Sequence, residues 1–264
     1  VEKMSKNIKK QLKNQVVSLG SWITLGHPAI AEIMAKAGFD WLAVDLEHSV
    51  ITIKEAEELI RVINLSGVSP LVRLTSNDAK QIKRVMDAGA HGVIVPQVNS
   101  AKEARDAVSA VYYPPRGTRG VGLARAQGYG AQFSEYKDWL DANAVVITQI
   151  EHIKAVENIE EILTVDGVDG YIIGPYDLSA SMGIPGQLEH PDVVKAIAEI
   201  NRAATKLNKP GGVHIIEPDP GQLKQRISEG FNFIAYSLDI RMLDVSCREA
   251  FTVDIQQERL KEYS

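Results

Sequence analysis

Residues 144–174 read AVVITQIEHIKAVENIEEILTVDGVDGYIIG. Ala144–Ile150 and Gly170–Gly174 are short, near-continuous apolar runs rather than alternating ones, the pattern of parallel strands buried on both faces. Val156–Leu163 between them has helical spacing, so the stretch is one complete strand–helix–strand unit. The same beat extends in both directions. Strand-like runs stand at Val16–Leu25, Trp41–Leu46, Pro70–Leu74, Gly92–Val98, Gly211–Ile215 and Phe233–Leu238. Helical patterns follow at 28–38, 52–65, 78–89, 101–111, 191–207, 220–229 and 240–251. Eight units with no Ser/Gly linker and no glycine-rich phosphate turn after the first strand predict a single (β/α)8 TIM barrel over residues 1–264. A doubly wound sheet would require that phosphate turn or a domain seam.

The composition agrees. The chain has 264 residues, 45% of them apolar, and a net charge of −5, enough for one sizeable core. Mild acidity without a basic stripe argues against a nucleic-acid partner. The apolar runs are strand-sized, well short of a membrane span. A single cysteine, Cys247, excludes a disulfide framework and any CxxC site, and Val1–Lys13 is charged with no signal core, so a cytoplasmic protein is expected. One connection is long. Residues 112–143, YYPPRGTRGVGLARAQGYGAQFSEYKDWLDAN, read as a loop-rich insertion whose Arg116, Arg119 and Arg125 lie near the active site or a subunit interface, or are simply solvated.

In such a barrel the chemistry sits at the C-terminal ends of the strands. That places Asp45-Leu46-Glu47-His48, Arg73, Pro96-Gln97, Gln149-Ile150-Glu151, Tyr176-Asp177, His214 and Asp239 at the mouth. Glu151 and Asp177 belong to adjacent units, and two unpartnered carboxylates there repel unless a cation joins them. Helix capping or pairing with an arginine is the other reading of the same acids, and both stay open. Gln149 shares a strand face with Glu151 and serves either a ligand or a barrel layer. Arg73 requires an anion, either a substrate or a neighbouring carboxylate. His48, beside Asp45 and Glu47, suits a general base. His27, His91 and His190 sit at a helix start, a strand start and before a proline, and are set aside. No lysine falls at a strand end, which argues against an imine-forming aldolase.

Together VDLEHS, PLVRL followed by Asn77-Asp78, QIKRVMDAGA, GVIVPQV, YYPPRGTRGVG, QIE and DGVDGYIIGPYDLSASMG resemble the class II pyruvate aldolases of the 4-hydroxy-2-oxoheptanedioate and 2-dehydro-3-deoxyglucarate aldolase family. The citrate lyase β chains are more distant kin. The match runs from about Lys10 to Phe251. The resemblance implies a barrel in which Glu151 and Asp177 bind Mg²⁺, Mn²⁺ or Co²⁺, with Gln149 and the backbone at Tyr176 contacting pyruvate. Arg73 is implied to neutralise the enolate and His48 to exchange the proton of the cleaved alcohol. Asp87 matches an aspartate that raises that histidine's basicity, a role that residue spacing alone gives to Asp45. Trimers paired into hexamers, with the last helix exchanged, are implied too. Tyr176 departs from the small residue common there, and the 120–130 loop is shorter than usual, so the family leaves the aldehyde undetermined. The competing expectations are an enol-pyruvate enzyme acting on a CoA ester or oxaloacetate, and a barrel that binds a keto acid without turnover.

Overall fold

The computed structural model describes residues 7–251. Its eight strands are β1 (Ser18–Ile23), β2 (Trp41–Asp45), β3 (Ser69–Arg73), β4 (Gly92–Val95), β5 (Val145–Ile150), β6 (Gly170–Ile173), β7 (Gly211–Ile215) and β8 (Phe233–Leu238). They pair in parallel in chain order, and β8 closes onto β1. Before β1 stands α1 (Ile8–Lys13), and after it α2 (Pro28–Lys36), α3 (Ile53–Leu65), α4 (Ala79–Asp87) and α5 (Ala101–Val111). Then come α6 (Phe133–Asn143), α7 (Ile153–Glu157), α8 (Ile159–Leu163), α9 (Pro175–Ser181), α10 (Pro191–Lys206), α11 (Pro220–Ser228) and α12 (Asp239–Glu249). The (β/α)8 barrel expected from the strand beat is the fold.

Local chemistry sets the helix ends. Thr52 and Glu55 form a reciprocal capping box at the start of α3, and Ala56, Leu59, Ile60 and Ile63 then bury one face. His27, His152 and His190 cap α2, α7 and α10 by accepting backbone N–H groups at Nδ1, which gives His27 and His190 structural roles. Among the described residues no helix is long and apolar enough to cross a membrane.

The barrel interior forms its own core, separate from the layer between sheet and helices. α1 contributes Ile8 and Leu12 to it, beside Trp41, Leu71, Ile94, Ile147 and Phe233. Outside the barrel wall, Lys9 of α1 binds Asp169, the Ala144 carbonyl and the Tyr112 hydroxyl. Trp41 lies stacked on Phe233, with ring centroids 4.4 Å apart. It fits because Gly20 on β1 has no side chain, since a Cβ there would stand 2.0 Å from the indole. Gly20→Ala therefore overpacks a rigid aromatic layer and is expected to cost about 2 kcal/mol. Urea unfolding checks this, and a variant as stable as the parent would show that Trp41 has another seat.

Residues 112–143 are more ordered than their composition suggested. They contain a 3-10 turn at Arg125–Gly130 and the helix α6, which buries only Tyr136 and Leu140 and so leaves a weak apolar pattern. Arg119 binds Asp87 at the end of α4, and Arg125 binds the Ala88 carbonyl and Asn64. Those groups lie where helices return to the N-terminal end of the barrel. The insertion thus packs away from the strand C-termini of its own chain. At the far end of the sequence, α11 buries no side chain and α12 only Asp239, leaving Ile240, Leu243 and Ile227 exposed.

Candidate active site

Asp45 and Arg73 end neighbouring strands and face each other in register. The Asp45 carboxylate accepts from Arg73 Nε at 2.9 Å and Nη2 at 2.6 Å, a two-point grip on one edge of the guanidinium. Its Oδ1 also accepts from the backbone N–H groups of Glu47 and His48, so the loop after β2 winds around a buried acid. Among the described residues Arg73 Nη1 has no hydrogen-bond partner. The arginine is therefore both structurally paired and left with donors to spend.

Across the mouth, Gln149 Nε2 links two acids. It donates to Glu47 at 3.4 Å and, more closely, to Glu151 Oε2. The second Glu151 oxygen accepts from the backbone N–H of Gln97 at 2.7 Å. Gln97 reaches it from a left-handed conformation, φ 53°, which an L-residue holds only under constraint. Gly174 leaves the space that Glu151 fills, since a Cβ there would stand 2.8 Å from its Oε2. Burial pushes Glu151 up from the ordinary carboxylate value of 4.5 to about 7, with the charges of Glu47 and Asp177 adding to it. Glu47 is raised also, by burial first, against the pull of Arg73. Too many negative groups share too little water here.

Between pH 4.5 and about 7 the metal-free folded protein holds a proton on Glu151 that the unfolded chain has lost. Stability therefore falls as pH rises through that window, by on the order of 3 kcal/mol for this one group. Glu151→Gln should gain on the parent between pH 5 and pH 7.5 in urea unfolding with chelator present. An equal response in both proteins would place the proton elsewhere.

Asp177 and Tyr176 lie in the first turn of α9, directly after β6. Tyr176 is 52% exposed, a large ring at the rim. The His48 side chain is 60% exposed, with Nε2 at 3.7 Å from Glu47 Oε2. Its side-chain neighbour is thus Glu47, while Asp45 spends its carboxylate on Arg73 and on backbone. Asp87 is not brought to this cluster. As the last residue of α4 it sits at the opposite end of the barrel, accepting from Arg119 Nη2 at 2.7 Å. Gln97 stands at the mouth as its place after β4 implies, but the role of its backbone amide is not legible in the sequence, because a left-handed residue that is not glycine leaves no mark in composition. Trp22, whose indole lies under Arg73 with Cζ 4.3 Å from the ring centroid, carries no sequence signal that sets it apart from a core residue.

Residues 18–244, from β1 into α12, match the family model described as HpcH/HpaI aldolase/citrate lyase. The chain belongs to this family. Among its relatives, a hydroxypyruvate/pyruvate aldolase of Sagittula stellata is 42% identical, over 85% of this chain and 88% of the relative. A 2-keto-3-deoxy-L-rhamnonate aldolase of Escherichia coli K12 is 36% identical, over 89% and 88%. The crystal structure of an HpcH/HpaI aldolase from Desulfitobacterium hafniense superposes with a TM-score of 0.84 at 34% identity, covering 93% of this chain and 95% of that one. The HpcH/HpaI chain described here is accordingly an enzyme, an aldolase of the carbon–carbon lyase class.

Proposed function

We propose that this aldolase reversibly cleaves a 4-hydroxy-2-oxo acid into pyruvate or hydroxypyruvate and an aldehyde, with a divalent cation held by Glu151 and Asp177. One observation carries the reading: the buried carboxylate of Glu151, with half-buried Glu47 and solvent-exposed Asp177 adding their charges to it, stands at the same mouth as an arginine fixed by Asp45. The donors suit a hard cation, since oxygen ligands on few protein groups leave positions open for a chelating keto acid. The raised proton affinity of Glu151 is the strain that such a cation relieves. When bound, the cation supplies electrophilic stabilisation of the substrate's keto oxygen. Mg²⁺, Mn²⁺ and Co²⁺ all fit that donor set.

The side chains divide the remaining work. Gln149 and the backbone around Tyr176 orient the keto acid. Arg73, with Nη1 unspent, faces the negative charge that develops on the enolate oxygen. His48 accepts the C4 hydroxyl proton during cleavage and returns it during synthesis, with Glu47 beside its ring. Asp45 holds Arg73 and the loop that carries His48. The Tyr176 ring at the rim narrows the side from which the aldehyde arrives. Incubating the protein with pyruvate or hydroxypyruvate, each cation and a panel of aldehydes, then identifying products by NMR, tests the reading. No adduct with any aldehyde would overturn it.

Asp87 serves His48 only if it arrives from another copy, because within one chain the two lie at opposite ends of the barrel. We therefore expect a homo-oligomer, a trimer or a hexamer, in the cytoplasm, with residues 112–143 at the contact and α12 exchanged. Mixed assemblies of His48→Ala and Asp87→Asn subunits should regain part of the activity that each loses alone. Assemblies no more active than the weaker parent would confine Asp87 to its bond with Arg119.

A further inference from the structure

Arg73 is held by more than its carboxylate. The Asp45 grip fixes the Nε–Nη2 edge, yet a guanidinium and a carboxylate joined in this way can still roll together about the aspartate side chain. The Trp22 ring beneath, 4.3 Å from Cζ, blocks that roll. We propose that Trp22 is a positioning residue whose indole face sets the tilt of the Arg73 guanidinium, and through it the aim of Nη1 at the enolate oxygen. This rests on the aldolase reading above and on the place of Arg73 in it.

The indole is itself immobile. It is 1% exposed and meets Trp41 edge-on at 6.2 Å and His214 edge-on at 5.8 Å. Trp41 is in turn stacked on Phe233, so a column of rings rises through the barrel to the arginine. Gly20, two residues before Trp22 on the same strand face, gives that column its room. Burial, with Arg73 adding to it, holds His214 down to about 4, so a neutral imidazole flanks the indole near neutral pH and does not compete for its face. Trp22 Nε1 has no hydrogen-bond partner in the structure. A buried, unpartnered N–H costs free energy that phenylalanine or leucine would not. The indole is therefore not held for its hydrogen bond, and what it presents to the site is its face.

The test is a cycle on oxaloacetate decarboxylation and aldol cleavage, with Mn²⁺ affinity and circular dichroism as controls. Trp22→Leu should lower kcat about 10-fold in both reactions with Mn²⁺ affinity unchanged, and Trp22→Phe should recover most of the loss. In an Arg73→Lys background the same Trp22→Leu change should cost less than about 3-fold, because an ammonium has no plane to align. An equal loss in both backgrounds makes the indole mere packing and overturns the inference, as does an unaffected Trp22→Leu. Should Trp22→Leu not fold, phenylalanines of increasing fluorination at position 22 weaken the ring face at constant shape. A stepwise fall in kcat supports the inference, and a flat response overturns it. A parent inactive on both substrates overturns the aldolase reading, whereas an active parent with insensitive variants overturns this inference alone.

Discussion

Stripped of divalent cations by chelator, the enzyme should lose aldol cleavage by about 10³-fold or more, and Mg²⁺, Mn²⁺ or Co²⁺ should restore it. The size follows from the several kcal/mol that a cation contributes to a developing enolate, each 1.36 kcal/mol being tenfold in rate. Glu151→Ala and Asp177→Ala should each produce the same loss, with cation affinity falling in parallel by calorimetry. Borohydride with pyruvate should leave no covalent adduct, since among the described residues no lysine stands at the C-terminal end of a strand to form an imine. Full activity after exhaustive chelation, or a trapped adduct, removes Glu151 and Asp177 from the mechanism.

The second large effect separates the proton carrier from the groups that stabilise charge. Decarboxylation of oxaloacetate reaches the same pyruvate enolate as retro-aldol cleavage, but carbon dioxide leaves without a hydroxyl to deprotonate. His48→Ala should lower cleavage by about 10²–10⁴-fold, the range of a lost general base, and leave decarboxylation nearly intact. Arg73→Ala should lower both by about 10²-fold or more, since each reaction places charge where the guanidinium points. It also leaves the buried Asp45 without its two-point partner, so its stability must be measured alongside. If His48→Ala loses decarboxylation as severely as cleavage, the histidine holds the site together rather than moving a proton.

The strand beat was legible because parallel strands buried on both faces leave continuous Val/Ile runs, and all eight fall where those runs stand. What escaped is physically distinct. The helix α6 buries two side chains in eleven residues, too few to raise a period above its polar background. The short α9 opens with Pro175 directly after β6, so it reads as part of the strand-end loop. At the mouth, knowing which residues end a strand was enough to bring Asp45, Glu47, Arg73, Gln149 and Glu151 into one cluster, because the barrel gathers strand ends whatever their distance in sequence. Roles within the cluster were less readable. Asp45 and Glu47 are equivalent neighbours of His48 in the sequence. Only the fold shows that Asp45 grips Arg73 at two points while Glu47, in the loop beyond the strand, stands between the guanidinium at 3.5 Å and the imidazole at 3.7 Å. Trp22 reads as an ordinary core residue in mid-strand, and its contact with Arg73 depends on closure of β1 against β8 and β2. Asp87 lies at the other end of the barrel, and a link to His48 would be a property of the assembly, which one chain's strand order does not encode.

If these groups make an enolate of the keto acid, the loss of methyl protons from pyruvate in D₂O, followed by NMR with no aldehyde present, reads that step alone. With Mn²⁺ replaced by diamagnetic Mg²⁺, the parent should exchange the methyl protons well above the protein-free rate, and both Arg73→Ala and the chelated parent should fall toward it. Exchange that persists undiminished after chelation and in Arg73→Ala would contradict the account.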